Sequence, residues 1–185
     1  KAKFVPSKWD SLVAGLGSGK YDVVMNDITQ TPERAKKYNF STPYIQSRYV
    51  LIVPKDSSIK NLKQIKGKKI VAGTGTNNAD VVKKYQGNIV PSGEFSNSLA
   101  MVKQGRAEGT VNSREAWYAY SKKNSTKGLK MIDVSNEVKP AKISALFNKK
   151  DTAIESSYNQ ALKKLQKDGT VKKLSQKYFN ADITE

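Results

Sequence analysis

The chain has 185 residues, 37% of them hydrophobic and 26% charged, with neither Cys nor His and a formal net charge of +17. That length supports one large domain or two small lobes. The missing residue types exclude disulfides, thiolate chemistry and histidine-based acid–base or metal chemistry. From Asp10 to Leu16 the apolar side chains Leu12, Val13 and Leu16 share one helical face, and Gly17-Ser18-Gly19 ends the segment. Tyr21 to Met25 reads as a buried strand. Thr31-Pro32-Glu33-Arg34 opens a short helix, with Thr31 as N-cap and Pro32 at the first helical position. Tyr49 to Val53 is a continuous apolar strand, Ile59 to Ile65 a short helix and Lys69 to Ala72 a strand. A glycine-containing turn, Gly73 to Thr76, leads to a helix over Asn78 to Tyr85.

The alternation continues with a helix over Ser96 to Gln104, a strand over Gly109 to Val111 and a helix over Ser113 to Lys122. Lys142 to Phe147 reads as one strand. An amphipathic helix spans Ala153 to Lys167, Asp168-Gly169 stops it, and a further helix covers Val171 to Tyr178. Strands alternating with helices at this spacing predict an α/β fold with largely parallel sheets. No apolar run reaches the roughly 20 residues that span a bilayer. No basic-then-apolar leader is present, so a signal peptide is expected upstream of this chain.

A charge of +17 attracts polyanions. Only four of the 33 basic residues are Arg, however: Arg34, Arg48, Arg106 and Arg114. Nucleic-acid readers favour Arg forks interleaved with aromatics. Dispersed pairs such as Lys68-Lys69 and Lys163-Lys164 read instead as a solvated surface, with no nucleic acid as partner.

Five segments carry a resemblance in their order and spacing: Trp9 to Val23, Asn26 to Arg34, Phe40 to Tyr44, Leu62 to Thr76 and Asp168 to Phe179. Together they resemble the extracellular amino-acid-binding proteins of ABC importers, solute-binding protein family 3. The resemblance implies an α/β, two-lobed type II periplasmic-binding-protein fold that here lacks the first strand and helix of lobe 1. Lobe 1 would combine residues 1–46 and 143–185 and lobe 2 would be 47–142, with hinge segments near 44–48 and 140–144. Lys1 to Ser7 would be the second strand of lobe 1, making the chain an N-terminally truncated form. Strand edges left unpaired by that gap predict self-association. In such proteins hinge closure over the cleft traps the ligand.

The resemblance also assigns ligand-binding residues. Arg34 would clamp a carboxylate with its guanidinium fork; by itself it reads as a surface helix Arg paired with Glu33 or Asp27. Thr29 would add a hydroxyl and a backbone N–H to that carboxylate, and Asn26 and Asp27 would line the same segment. Trp9 would offer an aromatic platform, although core packing accounts for a Trp equally well. Thr74, Gly75 and Thr76 would present backbone N–H groups at a helix start. Family members commonly carry an Asp that pairs with the ligand's α-ammonium, and Ser113 takes that position here. A hydroxyl contributes no charge, so Asp27 or Glu115 substitutes, or the ligand is not an ordinary α-amino acid.

The expected function is capture of cystine or another polar amino acid outside the cell for an ABC permease, with no cofactor, metal or catalysis. Such a protein would be cell-surface associated, with a Gram-positive lipid anchor upstream. The alternative is adhesion, because very basic members from lactobacilli that bind collagen or mucus resemble this chain.

Overall fold

The computed structural model describes residues 2–7 and 9–184, with side chains from residue 11 onward in the second stretch. The chain divides into two compact units. Unit 1 combines Lys1–Gln46 with Lys142–Lys173, and unit 2 combines Ser47–Ala141 with Leu174–Ile183. Residues 174–183 thus pack with unit 2, whereas the sequence reading assigns them to lobe 1.

Unit 1 begins with helix α1 (Trp9–Gly17). Leu12 and Leu16, on the face marked by helical spacing, are buried with Val24, Ile28 and Leu146, and Val13 packs partly buried against them. The helix ends because Gly19 takes a left-handed φ of 77°, a conformation that costs glycine little. Asn148 donates its side-chain amide to the Leu16 carbonyl at 2.7 Å, satisfying one of the acceptors that a helix end leaves open. Helix α2 (Pro32–Lys37) follows the predicted signal, with the Thr31 hydroxyl accepting from the Arg34 backbone N–H at 3.2 Å.

Extended structure in unit 1 is sparser than predicted. Strand β1 (Tyr38–Phe40) pairs antiparallel with β9 (Leu146–Asn148). Tyr21 to Met25 contributes only an isolated bridge from Val24 to Leu146, and Met25 is exposed. Residues 2–7 form no strand, since no described strand lies alongside to share a ladder; Ser7 instead shares a 2.7 Å hydrogen bond with the Tyr21 hydroxyl. The predicted strand Lys142 to Phe147 is two strands, β8 (Ala141–Ile143) and β9, separated at Ser144 and Ala145. The break reflects a change of partner: β8 pairs with β2 (Ile45–Ser47), β9 with β1. Helix α6 (Thr152–Lys167) and the first turn of α7 (Thr170–Phe179) complete the unit.

Unit 2 is built on a five-stranded sheet of β3 (Tyr49–Pro54), β4 (Lys69–Ala72), β5 (Asn88–Pro91), β6 (Gly109–Ser113) and β7 (Leu129–Asp133). Its order is β5-β4-β6-β3-β7, so β5 and β7 are the edges. The sheet is mixed, not largely parallel: β4 runs parallel to β5 and β6, while β3 runs antiparallel to β6 and β7. Successive side chains of a strand point to opposite faces. Tyr49, Leu51 and Val53 therefore join one core cluster and Val50 and Ile52 another. Both faces are covered, which is why β3 reads as an unbroken apolar run. Gly109 lies where a Cβ would stand 3.0 Å from the Ile52 carbonyl oxygen, so β6 can approach β3 only without a side chain there. Helices α3 (Asn77–Lys84), α4 (Phe95–Lys103) and α5 (Arg114–Ser121) cover the sheet. The predicted helix over Ile59 to Ile65 is a single 3-10 turn, Leu62–Ile65, capped by the Asn61 side chain.

Candidate functional site

The expected site residues fall in both units. In unit 1, Asn26, Asp27, Thr29 and Arg34 lie on one continuous segment. The segment is fixed by an antiparallel bridge between Thr29 and Ile143. Its two bonds run from Gln30 N to the Lys142 carbonyl, 2.9 Å, and from Ser144 N to the Ile28 carbonyl, 3.1 Å. The bridge itself therefore leaves the Thr29 N–H unspent. Ile28 is fully buried beneath it, so its flanking residues are turned outward.

Arg34, on the first turn of α2, donates from Nη1 to the Thr29 carbonyl at 2.9 Å. This orients the guanidinium against the bridge and uses one of five donors. Partial burial lowers its pKa from the ordinary guanidinium value, an effect opposed by the nearby charge of Glu33. Asp27 adopts a positive φ of 47°, a region that Asp and Asn enter more readily than other non-glycine residues. The residue keeps a solvent-exposed face. Enough protein nevertheless crowds its carboxyl that desolvation raises its pKa above the ordinary carboxylate value. Tyr44 was not among the sequence candidates. Its N–H donates to Ile143 at 3.0 Å, on the same bridge. Its phenol pKa is raised, first by burial and then by the negative charge of Asp27. The aromatic position after Thr42-Pro43 was the available signal. The expected Trp9 platform lies outside the described side chains.

In unit 2 the strands β4 and β6 run parallel, so Gly73 to Thr76 and Ser113 come together at the carboxyl ends of two neighbouring inner strands. Ligands in open α/β sheets favour the carboxyl ends of strands. Gly75 has a φ of 69°, and Thr76 caps α3 by accepting from the Ala79 N–H at 3.3 Å. Thr74 and Gly75 are exposed at the tip. Asn112 ties the two turns together, accepting from Asn78 at 3.4 Å and from the Ser113 N–H at 2.8 Å. The Ser113 hydroxyl accepts from the Ala116 N–H at 3.2 Å and so serves as the N-cap of α5. Glu115 is 1% exposed and packed inside unit 2.

An open groove of unit 1 lies elsewhere, between Thr42 and α6, and includes Glu155, Asn159 and Lys163. Its polar groups bind one another: Asn159 accepts from the Thr42 N–H at 2.8 Å, and Glu155 accepts from Asn39 at 2.8 Å. The chemistry expected of the chain therefore rests on the Thr29 bridge and the paired turns of unit 2. No cluster of potential metal ligands occurs among the described residues. No helix among them is long and apolar enough to cross a membrane.

Solved structures share this architecture. One, described with glutathione import by GshT and the cystine importer TcyBC of Streptococcus mutans, matches with a TM-score of 0.91 at 29% identity, covering 99% of this chain and 80% of that one. An ancestral arginine-binding protein bound to arginine matches with a TM-score of 0.84 at 30% identity, covering 96% and 80%. The fold is thus the two-lobed type II periplasmic-binding-protein fold. Residues 1–181 match the model for bacterial extracellular solute-binding proteins, family 3, and the chain belongs to that family. Its relatives include a probable amino-acid ABC transporter-binding protein of Haemophilus influenzae, 34% identical over all of this chain and 72% of that protein. Another is the L-cystine-binding protein TcyA of Bacillus subtilis, 34% identical over all of this chain and 68% of that protein. The family consists of solute-binding proteins of transporters, not enzymes.

Proposed function

We propose that the chain captures a free amino acid, cystine among the candidates, outside the cell and delivers it to an ABC permease. The observation that carries this reading is the Arg34 guanidinium, oriented by the Thr29 carbonyl at 2.9 Å on an outward-turned segment. A guanidinium fork matches a carboxylate in two parallel hydrogen bonds. Thr29, whose N–H the bridge leaves unspent, supplies a second donor on the same segment. In unit 2 the exposed Thr74–Gly75 tip at the start of α3 offers backbone N–H groups where the helix dipole favours an anion. Amino-acid and cystine binding by the relatives agrees with this chemistry. Protein purified without denaturation is expected to release an amino acid on unfolding, detected by mass spectrometry of the small-molecule fraction. Recovery of only non-amino-acid solutes would count against the reading.

A second reading, adhesion to collagen or mucin, is favoured by one observation. Lys163, Lys164, Lys167, Lys172, Lys173 and Lys177 are all exposed on the consecutive helices α6 and α7. Contacts made by such lysines are screened over about 10 Å at 0.1 M salt. Binding to immobilised collagen should therefore fall steeply between low and physiological salt; salt-independent binding would exclude this mechanism.

A further inference from the structure

An amino acid carries an ammonium as well as a carboxylate, and a cation-binding partner has to be found for it. Among the residues assigned to the site, Asp27 is the only acid. Ser113 is uncharged and its hydroxyl is engaged in capping α5. Glu115, the other acid nearby in sequence, is 1% exposed and cannot meet a solute without unfolding α5. Other described acids of unit 1 are engaged: Glu155 accepts from Asn39, Asp168 accepts from the Thr170 N–H, and the charge of Glu33 acts on its neighbour Arg34. Asp27 differs from all of these. It keeps an exposed face, and no hydrogen bond or ion pair to it is found among the described residues. It lies two residues from Thr29, whose carbonyl holds Arg34, and its charge acts on Tyr44, which is bonded to the same bridge. Its left-handed backbone departs from the extended geometry of the neighbouring bridge residues, a departure of the kind that persists at functional sites.

We propose that Asp27 is the ammonium-selecting residue, so that Arg34 and Asp27 on one segment of unit 1 recognise the two opposite charges of a free amino acid. This deepens the amino-acid reading above and rests on it. A carboxylate that protein has already partly desolvated, and that lacks a lysine or arginine partner, is prepared to exchange water for a ligand cation. Its role is specificity: solutes with a carboxylate but no ammonium are disfavoured.

The test measures binding of L-arginine, L-glutamine and L-cystine by calorimetry, each against its desamino analogue, which keeps the carboxylate and side chain. Wild type, Asp27→Asn and Arg34→Ala are compared. Asn is isosteric and tolerates the left-handed backbone, so folding is preserved, and circular dichroism checks it. Wild type should prefer the amino acid by roughly tenfold or more, the scale of one charge-assisted hydrogen bond. Asp27→Asn should remove most of that preference while its residual binding still depends on Arg34. Full retention of the preference in Asp27→Asn overturns the proposal, as does a wild type with no preference. Binding unchanged in Arg34→Ala would instead refute the underlying placement of the carboxylate, so the two failures are distinguishable.

Discussion

Arg34→Ala should weaken amino-acid binding about a hundredfold, the loss of two charge-assisted hydrogen bonds at about 1.5 kcal/mol each, by the ordinary conversion of free energy to affinity. Calorimetry with the amino acid recovered from the native protein reads the effect directly. Arg34→Lys should recover only part of the loss, because a single ammonium keeps the charge but not the planar fork. The substitution leaves stability nearly unchanged. Arg34 is only partly buried, and its side-chain bond to the Thr29 carbonyl supports a bridge already fixed by two backbone bonds. Equal binding by wild type and Arg34→Ala would remove the carboxylate anchor from unit 1 altogether.

Leu51→Ala should strongly destabilise unit 2, with an expected cost of about 2–5 kcal/mol. Leu51 is fully buried on β3 and packs in the cluster with Ile59, Leu62, Ile65 and Val111. Its strand is paired on both sides, opposite Val111 of β6 and Ile132 of β7, so the backbone cannot move in to fill the void. Domains are stable by only about 5–15 kcal/mol, so the variant should melt well below wild type in calorimetry or urea titration. A change below about 0.5 kcal/mol would show that the sheet relaxes around the void.

How far the sequence discloses this molecule depends on how local the determining interactions are. The N-cap at Thr31 and the start of α2 are set by residues three apart, and they are where the sequence puts them. β3 is legible because burial on both faces leaves an unbroken apolar run. The division of Lys142 to Phe147 into two strands is not legible, since it follows from partners about 100 residues away, Ile45–Ser47 and Tyr38–Phe40. The antiparallel insertion of β3 between β6 and β7 has the same origin. At the site, the sequence leaves Asp27 and Glu115 as equal candidates for the ammonium. Tertiary burial separates them, with Glu115 1% exposed and Asp27 open to solvent. Tyr44 joins the site through its backbone bond to the Ile143 carbonyl and through the charge of Asp27, of which the sequence shows only its aromatic place after Thr42-Pro43.

The outer strand β5 has one further consequence. Asn88 and Ser92 donate their N–H groups inward, to the carbonyls of Lys68 and Ala72 at 2.8 and 3.3 Å. By alternation the N–H positions of Ile89 and Pro91 face away from the sheet. Proline has no N–H, so half of the outward donors of this strand are deleted by one residue. A foreign β-strand seeking to extend the sheet would find a four-residue margin with one donor missing. Amyloid-like templating is thereby discouraged at that margin.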